Sequence, residues 1–237
     1  MTKLADILEQ LYALADPAVV KRKAEKYNIT AENSLGIYQK DLKALAGKIG
    51  KNNDLALALY NTGIYEARLL CPRLYRSKDL TVAQMEQWAS DFENWEVCDS
   101  FSMRFFTAGP WVDQKIQEWT QREATFVKRA GFVMMAAYSS TYKKAENVIF
   151  ESFFPIIERE AGDDRIYVKK AVNWALREIG KRNIHLHQQA TAFAERLEES
   201  ALPAARWIAK DALREFRREN LAIRGYPRDR YQSSRGR

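Results

Sequence analysis

Tyr167-Val-Lys-Lys-Ala-Val-Asn-Trp-Ala-Leu-Arg-Glu178 is echoed on both sides of itself. Its opening, Tyr167-Val-Lys-Lys-Ala171, superposes on Phe126-Val-Lys-Arg-Ala130 at an offset of 41, and Ala175-Leu-Arg-Glu-Ile179 superposes on Ala212-Leu-Arg-Glu-Phe216 at an offset of 37. A weaker echo, Tyr65-Glu-Ala-Arg68, lies upstream. Val168, Val172, Ala175, Leu176 and Ile179 recur at helical spacing and form one apolar stripe. Two helices in roughly 40 residues is the HEAT or armadillo pattern, in which each pair buries its apolar face only by stacking on its neighbours. The stretch therefore predicts an all-α chain: a short, curved α-solenoid of about six HEAT-like helix pairs with a concave face. A non-repetitive α-bundle is the alternative.

Outward from this stretch, the rest of the sequence agrees. Only ten Gly and six Pro occur in 237 residues, and alternating β-branched patterns are absent. Capping or breaking residues precede apolar-periodic runs at Thr2, Asp16-Pro17, Ser34-Leu35-Gly36, Thr62-Gly63, Thr81, Asn94, Gly109-Pro110, Thr125, Gly162-Asp163 and Leu202-Pro203. They predict roughly twelve helices. A hydrophobic share of 46% excludes wholesale disorder, and no apolar run approaches the roughly 20 residues of a membrane span. The expectation is a cytoplasmic monomer without membrane association, with a repeat domain over residues 1–222 and a basic, flexible tail over 223–237. Cys71 and Cys98 read as buried thiols. His185 and His187, placed in a connector, lack the companions a zinc site needs, so neither metal nor cofactor is expected.

The formal charge of +7 permits an anionic partner. Its distribution is uneven. Residues 1–213 hold 30 basic against 28 acidic side chains, whereas Arg214–Arg237 holds eight Arg against three acids. Placement on helix faces is more informative. After Asn94, Val97, Phe101 and Phe105 form a core stripe, while Trp95, Asp99, Ser102 and Phe106 fall on the other side. An aromatic and a carboxylate one turn apart point to a site, or else to a half-exposed Trp beside a solvated Asp. Around residue 174 the outward face reads Tyr167, Lys170, Trp174, Arg177 and Lys181, an interleaving of cations and aromatics suited to a polyanion with flat bases. Lysine stems covering an exposed ring would give the same pattern. Arg129, equivalent by repeat to Lys170, extends this surface or belongs to a ladder of ion pairs. Between Lys78 and Arg104 stand Asp79, Glu86, Asp91, Glu93, Glu96 and Asp99 with no base. Most of these are expected on the convex side or at helix N-termini, but Asp99 lies too deep in its helix for that.

Four fragments together, Glu25-Lys-Tyr27 with Leu35-Gly-Ile37, Asn94-Trp-Glu-Val-Cys-Asp-Ser100, Phe126–Ala130 and Tyr167–Glu178, resemble the AlkD family of HEAT-repeat DNA glycosylases, which excise N3- and N7-alkylated purines. The resemblance implies that Trp95 and Trp174 flank the damaged nucleotide and that Asp99 is the catalytic carboxylate. Arg129 would line the DNA-binding cleft with Tyr27 near it. Family members carry an aromatic before the first tryptophan, where this chain has Asn94. The implied partner is double-stranded DNA with alkylated purines and the implied product an abasic site. A DNA-binding relative without excision, or a HEAT scaffold that takes an acidic peptide on Tyr167, Lys170 and Trp174, are the competing expectations.

Overall fold

The computed structural model describes residues 4–227, and all regular structure among them is helical. The chain forms two compact units, one ending at Val112 and the other starting at Asp113. The first holds α1 (Leu4–Ala13), α2 (Pro17–Tyr27), α3 (Gln39–Ile49), α4 (Asn53–Tyr60), α5 (Tyr65–Leu74), α6 (Val82–Ser90) and α7 (Trp95–Phe101), with a 3₁₀ turn at Ser77–Asp79 and a π-helical stretch at Ser102–Phe106. Expected starts at Asp16-Pro17, Thr81 and Asn94 carry working caps: Asp16 accepts from Ala18 N at 2.9 Å, Thr81 from Gln84 N at 3.2 Å, and Asn94 from Glu96 N and Val97 N. The break between α3 and α4 went unread. Gly50 ends α3 at φ 75°, and Asn52 caps α4 through Leu55 N.

The core of this unit is aromatic. Trp88 packs against Tyr60, Tyr75, Phe101 and Phe105 at centroid separations of 5.4–5.8 Å. One buried carboxylate fixes the Leu35-Gly-Ile37 fragment. Glu66, fully buried, accepts from the backbone N–H groups of Leu35, Gly36 and Ile37 and from the Ser34 hydroxyl, at 2.7–3.2 Å. Gly36 is held at φ +78°, and a Cβ there would lie 2.1 Å from the Asp16 carbonyl oxygen. Only glycine fits that crossing.

The second unit takes in α8 (Val112–Trp119) almost entirely, then α9 (Thr125–Thr141), α10 (Asn147–Glu151), α11 (Phe154–Glu160), α12 (Ile166–Gly180), α13 (Ile184–Glu198) and α14 (Pro203–Phe216). Of the repeat-matched helices α9, α12 and α14, α12 packs against both others. Val168, Val172, Ala175, Leu176 and Ile179 are all fully buried, as the stripe predicts. Arg182, also fully buried, closes the end of α9. Its guanidinium donates to the carbonyls of Ser139, Tyr142 and Ala145 at 2.6–2.9 Å and lies 3.9 Å from the Phe150 ring centroid. Burial pushes its pKa down to about 10.

Three expectations need correction. The described residues hold fourteen α-helices rather than about twelve; the starts of α4, α10, α11 and α13 are not among the boundaries read from the sequence. His185 and His187 lie inside α13, not in a connector; Asn183 caps this helix just upstream through Leu186 N. The beginning of the expected tail is docked, with Arg224 N and Tyr226 N donating to the carbonyls of Lys181 and Arg182. The rest of the tail call, residues 228–237, lies outside the described residues. Cys71 and Cys98 are both buried thiols, as expected. No helix among the described residues is long and apolar enough to cross a membrane.

Candidate functional site

The turn that opens α7 builds the first part of the site. Asn94, buried at 3% exposure, accepts from the Glu96 and Val97 amides and from the Tyr65 hydroxyl, and donates to the Thr30 carbonyl. An aromatic, which the family resemblance implies at this position, could not make these bonds. Trp95 follows, its indole N–H donating to the Tyr27 carbonyl at 2.9 Å. The resemblance-implied neighbours Tyr27 and Trp95 thus meet, through the Tyr27 backbone. The Tyr27 ring itself is exposed under Lys26. Asp99 stands one turn beyond Trp95, and both are half-buried on the wall of an open pocket of about 790 Å³. Gln39, Lys43, Gly47, Pro72, Arg73, Ser100, Arg104 and Phe105 complete most of that wall.

Two residues assigned to this face do not belong to it. Ser102 and Phe106 are fully buried. Ser102 follows the fully buried Cys98 by one α-helical turn, and for Phe106 the reason is the π-helical stretch, in which the Thr107 N–H reaches back five residues to Ser102 O. The wider turn rotates Phe106 inward, against Phe101 and Phe105. A spacing argument based on 3.6 residues per turn cannot anticipate that.

Behind the pocket lies a buried polar network. Lys23 reaches Glu96 at 3.0 Å, both under 10% exposed, and Glu96 also accepts from Gln39 Nε2 and the Tyr65 hydroxyl, each at 3.0 Å. Arg73 donates to Gln39 Oε1 at 2.8 Å. Burial, followed by the charge of Glu96, pushes the Tyr65 hydroxyl pKa far up, so it stays a neutral donor. Other members of the acidic run are answered from earlier helices: Asp79 accepts from Asn53, Asp91 from Tyr60, and Glu93 pairs with Arg68. Of this run, Glu96 is the member that sits in the first turn of an α-helix, as expected. Lys23, Gln39 and Arg73 were missed, since each is recognisable only from what it touches 34–73 residues away.

The second unit places the other candidates on α9 and α12. Trp174 is half-buried and Lys170 exposed on the outward face of α12. Tyr167 packs its ring against Phe126 at 5.4 Å. Arg129 is not a solvated rung: it is 7% exposed and donates to the Tyr167 carbonyl at 2.8 Å. Arg177 and Lys181 are not bare cations either. Arg177 lies 2.9 Å from Glu215 and 3.3 Å from Asp211, and Lys181 lies 2.7 Å from Glu215 and 2.8 Å from Glu178. Their charge ties α12 to α14. Burial raises the pKa of Glu215, but the Lys181 hydrogen bond and the charges of Lys181 and Arg177 outweigh it and hold the carboxyl below its usual range. No cluster of metal-ligating side chains occurs among the described residues.

Comparison with known proteins bears on both halves. No curated protein sequence matches the chain. It superposes, with a TM-score of 0.75 and 18% identity, on a solved structure from a new family of proteins related to the HEAT-like repeat DNA glycosylases with affinity for branched DNA structures. The match covers 90% of this chain and 95% of that one, and so establishes the HEAT-like fold. The family model for DNA alkylation repair enzymes matches residues 7–216, and on that span, nearly the whole described chain, the protein belongs to the DNA alkylation repair enzyme family.

Proposed function

We propose that this protein is a monofunctional DNA glycosylase that hydrolyses the N-glycosidic bond of cationic N3- or N7-alkylated purines in duplex DNA and leaves an abasic site. The observation that carries the proposal is the pairing of Trp95 and Asp99 on one wall of an open pocket within the first unit. Alkylation at N3 or N7 gives the purine a positive charge, which makes the base a good leaving group without a general acid. As the bond breaks, positive charge develops on the sugar. Asp99 stabilises that charge and holds the attacking water. An indole face favours a cationic lesion over neutral DNA by about 0.5–2 kcal/mol, a contribution open to Trp95 in the first unit and, separately, to Trp174 in the second. Lys170 and Tyr167 contact the DNA backbone, with Arg129 supporting Tyr167. Arg177 and Lys181 contribute through their ion-paired clusters, and Tyr27 flanks Trp95. No cofactor enters the chemistry, and the protein acts as a cytoplasmic monomer.

The test is release of free 7-methylguanine from methylated duplex DNA. Wild-type protein is expected to release it above the spontaneous rate, and Asp99→Asn to lose most of the release while keeping DNA affinity. No release by the wild type sinks the proposal. A second reading, a binder of distorted DNA without excision, draws on the branched-DNA affinity of the similar structure. Tight binding to a branched duplex with no base release from any alkylated DNA would favour it.

A further inference from the structure

The pocket beside Asp99 carries more positive charge than its carboxylates balance. Lys43 from α3, Arg73 from α5 and Arg104 from the π-helical stretch line it, against Glu96 and Asp99. Glu96 is already neutralised by Lys23 at 3.0 Å and bound by Gln39 and Tyr65. Its charge is therefore unavailable to the pocket cations. Arg73 and Arg104 stand close enough to act on each other: burial, then the Arg104 charge, lowers the pKa of Arg73. A cationic wall works against the chemistry proposed for Asp99, because positive charge beside a developing oxocarbenium raises its energy. The substrate must bring an anion that cancels it.

Gly47 gives a second, independent sign that something from outside fills this space. It lies in the last turn of α3, four residues after Lys43, and lines the same pocket. Glycine within a helix is unfavourable relative to alanine. Nothing in the chain requires it here, since a Cβ on Gly47 would meet no atom within 4 Å. The open surface over Gly47, flanked by Lys43, leaves room for a backbone to pass close to α3.

We propose that Lys43, Arg73 and Arg104, with the bare surface of Gly47 beside Lys43 on α3, form a phosphodiester subsite. It seats the DNA backbone next to the nucleotide presented to Trp95 and Asp99. This rests on the reading that the Trp95–Asp99 wall faces DNA, though not on excision itself. The subsite neutralises the cations at the moment of catalysis and fixes the sugar's distance from Asp99 through its own phosphate.

The test uses the full-length protein and fluorescence anisotropy with a duplex that carries a central stable abasic analogue, titrated with salt. Lys43→Ala and Arg104→Ala change exposed side chains and should leave the thermal midpoint unchanged. Each is expected to lower the slope of log K against log salt by about 1, and the pair by about 2. Gly47→Leu should keep or raise the thermal midpoint yet weaken binding at least fivefold, a combination that misfolding cannot produce. Replacing one phosphate that flanks the abasic analogue with an uncharged methylphosphonate should weaken binding to the wild type and have little further effect on Arg104→Ala. Unchanged slopes in both alanine variants, or an equal methylphosphonate effect ten base pairs away, overturns the subsite. Base release measured on the same wild-type preparation separates the two ideas: release with unchanged slopes leaves excision standing and removes the subsite, whereas lowered slopes without release do the reverse.

Discussion

Replacing Lys23 with Met tests what holds the site in place. The Lys23 ammonium lies 3.0 Å from Glu96 Oε2 with both side chains under 10% exposed. At an effective dielectric near 20, that separation corresponds to about 5.5 kcal/mol of attraction, offset largely by the cost of taking two charges out of water. The net value of the pair is therefore small, while the cost of removing one partner is large. Lys23→Met keeps the stem but leaves the Glu96 carboxylate with only Gln39 and Tyr65 as donors. It is expected to lose about 3–5 kcal/mol. Glu96→Gln strands the ammonium instead and should cost a similar amount. The double variant removes both charges and should return to within about 1–2 kcal/mol of wild type.

Urea unfolding of the four proteins measures the cycle. The same pair joins α2 to α7, together with the bonds from Trp95 to Tyr27 and from Asn94 to Thr30. Single-turnover base release by Lys23→Met should therefore fall more steeply on warming than that of the double variant. A loss below about 1 kcal/mol in Lys23→Met, or a double variant as unstable as the sum of the two singles, would show that the pair does not carry this junction.

Three further outcomes follow from other contacts. Gly36→Ala places a methyl 2.1 Å from the Asp16 carbonyl at a φ of +78° and should cost more than about 3 kcal/mol in urea unfolding; a loss under about 1 kcal/mol would refute the crossing. Glu215 has its folded pKa depressed, so its contribution is complete above the ordinary glutamate value near 4.3 and disappears as pH falls through the lower folded value. The gap in melting temperature between wild type and Glu215→Gln should hold from pH 7 to about 5 and close below about pH 4; a gap still constant at pH 3 contradicts the α12–α14 clamp. Deleting residues 228–237 removes four Arg and one Asp and should lower DNA affinity at low salt while single-turnover base release at saturating enzyme stays nearly unchanged; a large loss of that rate would give the tail a catalytic role.

Repetition made the helical class readable from the chain itself. The echoes around Tyr167–Glu178 place an apolar stripe every 37 to 41 residues, and local caps at Asp16, Thr81 and Asn94 mark where helices begin. Stripe and cap are both short-range properties, set by side-chain spacing on a regular helix and by hydrogen bonds two or three residues long. The same rule placed Trp95 and Asp99 on one face, and that held because both precede the departure from α-helical geometry at Ser102. Phe106, at the far end of that stretch, turns into the core instead, as does Ser102 at its start.

Long-range pairing was not readable in this way. Lys23 looks like any surface lysine until Glu96, 73 residues on, is packed against it. Arg177 and Lys181 look like a cationic face until Asp211 and Glu215 arrive from α14. Arg129 matches Lys170 by repeat, yet one is buried against a carbonyl and the other exposed. Periodicity records which side of a helix faces the core, since every core position obeys the same hydrophobic rule. It does not record which charges are neutralised, because Coulomb attraction and desolvation depend on distances between segments that only folding brings together.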